Sequence, residues 1–201
     1  MKTKSFLSTP GAFTRRVSTH LVSALLATTL IASMFLLTAC SAGTGIGSKT
    51  PVLDEKFLEQ AHTAVKEAYG EDYLPNMPFE SATLKEVYGL PMEDAEAFFA
   101  EGPMISAHVD TCIGIRAKAG KGPSMAEALE AYREKLIADS FQYPMNMAKV
   151  QASMVYTIGD HVFFLMLGRY NDADEQTEEQ ALSYAKTQTQ IGVDAIGKLI
   201  E

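Results

Sequence analysis

The chain has no tryptophan and only two cysteines, Cys40 and Cys112. No aspartate or glutamate occurs before Cys40, and no segment repeats another. Each absence excludes something. If Cys40 is chemically occupied, Cys112 is the last thiol, and no intramolecular disulfide can form. Without acids, the first 39 residues lack the mixed charge of a soluble surface. Without a repeat, solenoid and propeller architectures are set aside.

What stands in place of acids at the N-terminus is a leader. Lys2, Lys4 and the pair Arg15-Arg16 precede an uncharged apolar run from Leu21 to Leu37. A basic start followed by an apolar stretch is the secretory pattern. As a helix this run spans about 25 Å, slightly less than a bilayer's hydrocarbon core. It ends in Leu37-Thr38-Ala39-Cys40, which resembles the lipobox of bacterial lipoproteins. There, small residues let the peptidase grip extended backbone, and the cysteine thiol accepts a diacylglyceryl group. An uncleaved transmembrane anchor and a twin-arginine signal are the competing readings; Val17-Ser18-Thr19-His20 lacks the apolar pair that the second requires.

The expected organisation is a signal peptide over 1–39, a lipidated Cys40 with a flexible tether over 40–52, and one domain over 53–201. Ser41 to Thr50 is small, polar and glycine-rich, the composition of a tether. Two acyl chains make anchoring stable where one does not, so the expected address is the extracytoplasmic face of the cell membrane, held by lipid. Removing the leader takes away four of the 17 basic residues and none of the 25 acids, leaving a formal charge of −12. That balance argues against nucleic acid as a partner and against a basic membrane-binding face.

Periodicity predicts an α+β domain: a small antiparallel sheet of three or four strands with helices packed mainly on one face. A helix from about Glu55 to Tyr69 is capped by Asp54 and stopped by Gly70. Thr83 and Glu86 have capping-box spacing, and Pro91 opens a further helical turn or two carrying Ala95, Phe98 and Phe99. From Met104 to Lys118 apolar and polar residues alternate as in a strand. Ser124 and Glu127 then suggest another capping box, ahead of a stripe at Met125, Leu129, Tyr132 and Leu136. Gly159-Asp160 between apolar runs predicts a hairpin pairing Ile158 with His161, Tyr156 with Phe163 and Met154 with Leu165. Asp172 or Asp174 is expected to cap a last helix whose stripe is Leu182, Ala185, Thr189, Ile196 and Leu199.

In that order, Tyr88-Gly89-Leu90, the acidic helix Met92 to Ala100, the strand Asp110 to Lys118, the capped helix and the hairpin resemble one group. It is the small lipoproteins of Gram-positive bacteria in domain-of-unknown-function family 4358. The resemblance covers about Asp54 to Leu167, while the tail from Asn171 to Glu201 departs from it. It implies the lipoprotein address and no activity.

Candidate chemistry is sparse. His108, Asp110 and Cys112 fall on one side of the expected strand, and His161 sits at the hairpin tip. An imidazole, a carboxylate and a thiol together suit a Cys–His nucleophilic pair or a set of metal ligands; the plain alternative is a buried cysteine acting as an apolar filler. Gly114 to Gly122 imitates a phosphate loop, but five residues separate its glycines and no Ser or Thr follows Lys121. Asn171 to Glu175 alternates oxygen ligands without the glycine a calcium loop needs at its sixth position. Tyr132, Phe141, Tyr143, Tyr156, Phe163 and Phe164 read mostly as core. No cofactor is indicated. A non-enzymatic module that binds an envelope protein or a small ligand is favoured over an enzyme or metal-binding protein using His108, Asp110, Cys112 and His161.

Overall fold

The computed structural model describes residues 53–138, 141–173 and 175–201. The chain divides into two units, Met1–Ile46 and Gly47–Glu201, and every described residue belongs to the second. The leader, the lipobox and the whole tether lie outside the described residues, as do Asp139, Ser140 and Asp174.

Helix α1 runs Phe57–Tyr69 and buries Phe57, Leu58, Ala61, Val65 and Tyr69, which recur at helical spacing. Asp54 opens it, accepting from the Lys56 N–H at 2.9 Å. Gly70 closes it at φ 55°, a conformation that costs glycine little. After the short strand β1 (Met77–Pro78) comes α2 (Ser81–Glu86), which contains both Thr83 and Glu86 and has no side-chain cap.

The expected acidic helix from Met92 is instead a single 3-10 turn, Met92–Asp94, running into strand β2 (Ala95–Gly102). Alanine and glutamate are good helix formers, but propensity is a weak determinant, and pairing with strands on both sides outweighs it. The expected long strand is shortened to β3 (Thr111–Ala117). Residues 104–110 form a loop, in which the exposed Met104 and Ile105 find no sheet face to cover.

Helix α3 (Gly122–Ala138) begins before the expected capping box. Its start is held from the hairpin loop: Asp160 accepts from the Gly120 and Gly122 N–H groups, each at 3.0 Å. Ser124 meanwhile donates its hydroxyl back to Lys121. Helix α4 (Pro144–Ala152), with proline in its first turn, occupies what periodicity assigned to the approach to the hairpin. The hairpin itself, β4 (Met154–Ile158) and β5 (His161–Met166), has the expected register throughout. Helix α5 (Glu178–Gly197) is capped by Thr177 and Gln180, which form a reciprocal capping box, rather than by Asp172.

The fold is α+β, with a five-stranded antiparallel sheet in the order β1-β2-β3-β5-β4. Two corrections to the expected architecture follow from burial. The sheet has five strands because β1 and β2 join it. Helices also cover both faces rather than mainly one. Ile113, Ile115, Val162 and Phe164 pack with Met125, Leu129 and Val150, whereas Cys112, Phe163 and Leu165 pack with Val65, Val193 and Ile196. The reason is visible in β5, whose six residues are all buried, as a two-sided strand requires.

The C-terminal tail is therefore part of the domain. The Tyr69 hydroxyl donates to the Gln188 carbonyl at 2.7 Å and accepts from the Gly192 N–H at 3.2 Å, tying α1 to α5. Within the sheet, Gly114 lies between Phe99 and Phe163, and a Cβ there would run into the Phe99 ring. Among the described residues no helix is long and apolar enough to cross a membrane.

Candidate functional site

The four candidate residues do not assemble. Cys112 stands on β3 opposite Leu165, and His161 stands opposite Arg116, four residues further along the same strand. At about 3.3 Å per residue that places them roughly 13 Å apart along the sheet. His161 is buried with its ring edge against Phe57, at 5.1 Å between centroids, and its Nε2 has no partner among the described residues. Burial, with the Arg116 charge nearby, holds its pKa below the ordinary histidine value. Among the described residues no three His, Cys, Asp or Glu side chains gather as metal ligands.

Cys112 has no exposed surface. Burial pushes its thiol up to about 12, so the thiolate needed for nucleophilic attack is scarce at neutral pH. Its neighbour is the Tyr73 hydroxyl, which donates to Glu101 at 2.8 Å. Around that carboxylate gather His62 Nε2 at 3.2 Å and Lys66 Nζ at 3.5 Å, and the His62 ring stacks on Phe99 at 4.0 Å. Burial alone would raise the Glu101 pKa; hydrogen bonds from Tyr73 and His62 and the nearby cations bring it below the ordinary value. The group is mutually satisfied, with Cys112 sealed beneath it.

Asp110 belongs to the second polar group, and there the sequence reading missed the main partner. Asp110 is wholly buried, and both its oxygens accept from Lys149 Nζ at 2.9 Å. Lys149 is 2% exposed, and its ammonium stands 4.0 Å from the centre of the Tyr170 ring. The Tyr170 hydroxyl donates to Asn146 Oδ1 at 2.6 Å, and Asn146 Nδ2 donates to the Ala107 carbonyl at 3.0 Å. Burial pushes the Asp110 pKa up and the Lys149 pKa down, and each charge counters that push on the other. His108 lies beside this group, its ring 6.2 Å from that of Tyr170.

Lys149 and Asn146 both project from α4. Pro144 at a helix's first turn was the one signal in the sequence that marks this element. Nothing in a sequence marks a lysine as buried, since that residue type is normally exposed. On the outer side of this group is a cavity of about 340 Å³, walled by α4, α5, residues 169–172 and Gln176.

Of the aromatic residues read as core, Phe163 and Phe164 are fully buried, and Tyr132 and Tyr156 pack against the two clusters. Phe141 and Tyr143 are instead 93% and 60% exposed. The glycines after β3 turn the chain into α3, with Gly120 at φ 75°. Asn171 hydrogen-bonds within its own loop, to the Ala173 N–H and the Gln176 side chain.

No curated protein and no solved structure matches the chain. The family model that does match covers residues 68–167, a span that takes in the whole sheet, α2, α3 and α4 and stops short of α5. Over that span the chain resembles the family described as Domain of unknown function (DUF4358), and the buried Asp110–Lys149 pair lies inside it.

Proposed function

We propose that this protein is a lipoprotein tethered through Cys40 to the extracytoplasmic face of the cell membrane. Its folded domain serves there as a non-enzymatic binding or accessory module of the envelope, taking either an envelope protein or a small ligand. The observation that carries the address is the position of Leu37-Thr38-Ala39-Cys40 at the very end of the only long apolar run, behind an acid-free basic leader. The thirteen residues 40–52 supply enough chain for the domain to stand clear of the lipid. The non-enzymatic half of the reading is supported by Cys112, whose thiol is inaccessible and held protonated, and by its separation from His161.

The test is membrane fractionation of the full chain with mass analysis of its mature N-terminus. The wild type is expected in the membrane fraction, beginning at Cys40 and carrying the mass of a diacylglyceryl group. Cys40→Ala is expected to keep its leader and lose the lipid mass. If Cys40→Ala leaves mobility and fractionation unchanged, the tether does not exist.

A further inference from the structure

We propose that the cavity beside the Asp110–Lys149 pair is a binding site for a small molecule with an apolar body and a single carboxylate. This deepens the binding-module reading and rests on it.

The volume, about 340 Å³, lies in the range of small-molecule sites. One wall is apolar: Met145 and Ala148 on α4 face Ala181, Tyr184 and Ala185 on α5. The alanines are the reason that space exists, since Ala181 and Ala185 are one helical turn apart and neither fills the gap between the two helices.

The floor is electrically neutral. Lys149 spends its ammonium on Asp110 and on the face of Tyr170, and Tyr170 is fixed in turn by Asn146. The floor therefore selects no charge, and its side chains are held to one another by these contacts.

Charge selection falls to Arg169, which lines the cavity. Its backbone is held by the Gln188 side chain, at 3.1 Å, so the residue is placed while its guanidinium stays 58% exposed. Among the described residues the carboxylate recorded near it is Asp72, at 3.7 Å, which is ion-pair range but beyond a hydrogen bond. A guanidinium with unfilled donors matches a carboxylate in bidentate geometry. Asp172 also lines the cavity, and its charge opposes a phosphate dianion about twice as strongly as it opposes a carboxylate.

The probes are 3-phenylpropanoate, 3-phenylpropanol and 3-phenylpropylamine, which share one body and differ in charge. Each is titrated calorimetrically against the full chain in detergent, with a detergent blank. The carboxylate is expected to bind about tenfold tighter than the alcohol, the scale of one charge-assisted contact, and the amine more weakly still. Arg169→Gln is expected to bring the carboxylate down to the alcohol. Ala181→Phe, which fills the cavity, is expected to abolish binding of all three with an unchanged melting temperature; Ala148→Phe serves if that variant unfolds. No binding by any probe, a preference for the amine, or undiminished binding in a folded cavity-filled variant would each overturn the proposal. These outcomes are separate from the Cys40→Ala result, which reads the tether and leaves the cavity untouched.

Discussion

Lys149 is a residue that water ordinarily keeps, and here it is folded away against a single carboxylate. Desolvating two charges costs several kcal/mol each, and their attraction repays this only in good geometry. Two 2.9 Å contacts to Asp110 and an aromatic face supply that geometry. Breaking the pair from one side is then worse than removing it. Lys149→Met is expected to lower stability by about 3–5 kcal/mol, because Asp110 is left buried and alone. The Asp110→Asn, Lys149→Met double variant is expected to regain a large part of that loss. Urea unfolding of the three variants checks both statements, and equal losses in the single and double variants would contradict them. Cys112 offers a second test at this scale. With no exposed surface and a raised pKa, it is expected to ignore a thiol-specific reagent in the native state. It should react stoichiometrically in denaturant, and fast native labelling would show that the site opens.

Among the elements, the α3 start and the hairpin are one construction. A Gly-Asp loop was legible as a hairpin turn, and the register that follows from it is the register found. The same Asp160 also satisfies two N–H groups at the entrance to α3, 38 and 40 residues away in sequence. No local pattern announces that role, since capping signals are read within one turn of the helix. Asp160→Ala is expected to cost about 1–2 kcal/mol, with Asp160→Asn losing less because its amide oxygen still accepts. Chemical denaturation compares the two, and a larger loss in the Asn variant would argue against the cap. The segment 95–102 went the other way. Its Ala and Glu content reads as helix, and only the neighbours on each side make it a strand. Those neighbours arrive from residues 77–78 and 111–117, beyond any local window.

At the scale of the molecule, the sheet is closed on one face by α1 and α5 and on the other by α2, α3 and α4. The family match ends before α5, yet Val193 and Ile196 share a cluster with Phe57, Phe163 and Leu165. Truncation after residue 170 is expected to abolish cooperative unfolding and to raise binding of a hydrophobic dye. A sharp transition in the truncated chain would mean that the tail is dispensable.

The pH dependence also belongs to the whole molecule. His161 and Glu101 have folded pKa values below their ordinary ones, so each stabilises the fold above its unfolded pKa. That stability is lost as pH falls, first below about 6.5 for His161 and then below about 4.5 for Glu101. Asp110 works in the opposite sense, since burial raises its pKa. Cys112, raised to about 12, stabilises the fold below its ordinary pKa, and stability should decline as pH climbs above about 9. The melting temperature across that range is the check. Cys112→Ala should flatten the alkaline limb and His161→Phe the upper part of the acid limb.

Some of this could be had from residue order alone: the basic leader ending at a cysteine, the acidic balance, the stripe of α1, the hairpin register and the mixed α+β class. Each depends on neighbours within a turn or a loop, and local spacing carries that information faithfully. Other features required the folded chain. Whether a strand is covered on one face or two, which lysine meets Asp110, how Cys112 is separated from His161, and where a cavity survives between α4 and α5 depend on segments tens of residues apart. Side-chain burial is a property of the packed whole, because the desolvation that sets each pKa comes from atoms the local sequence does not name.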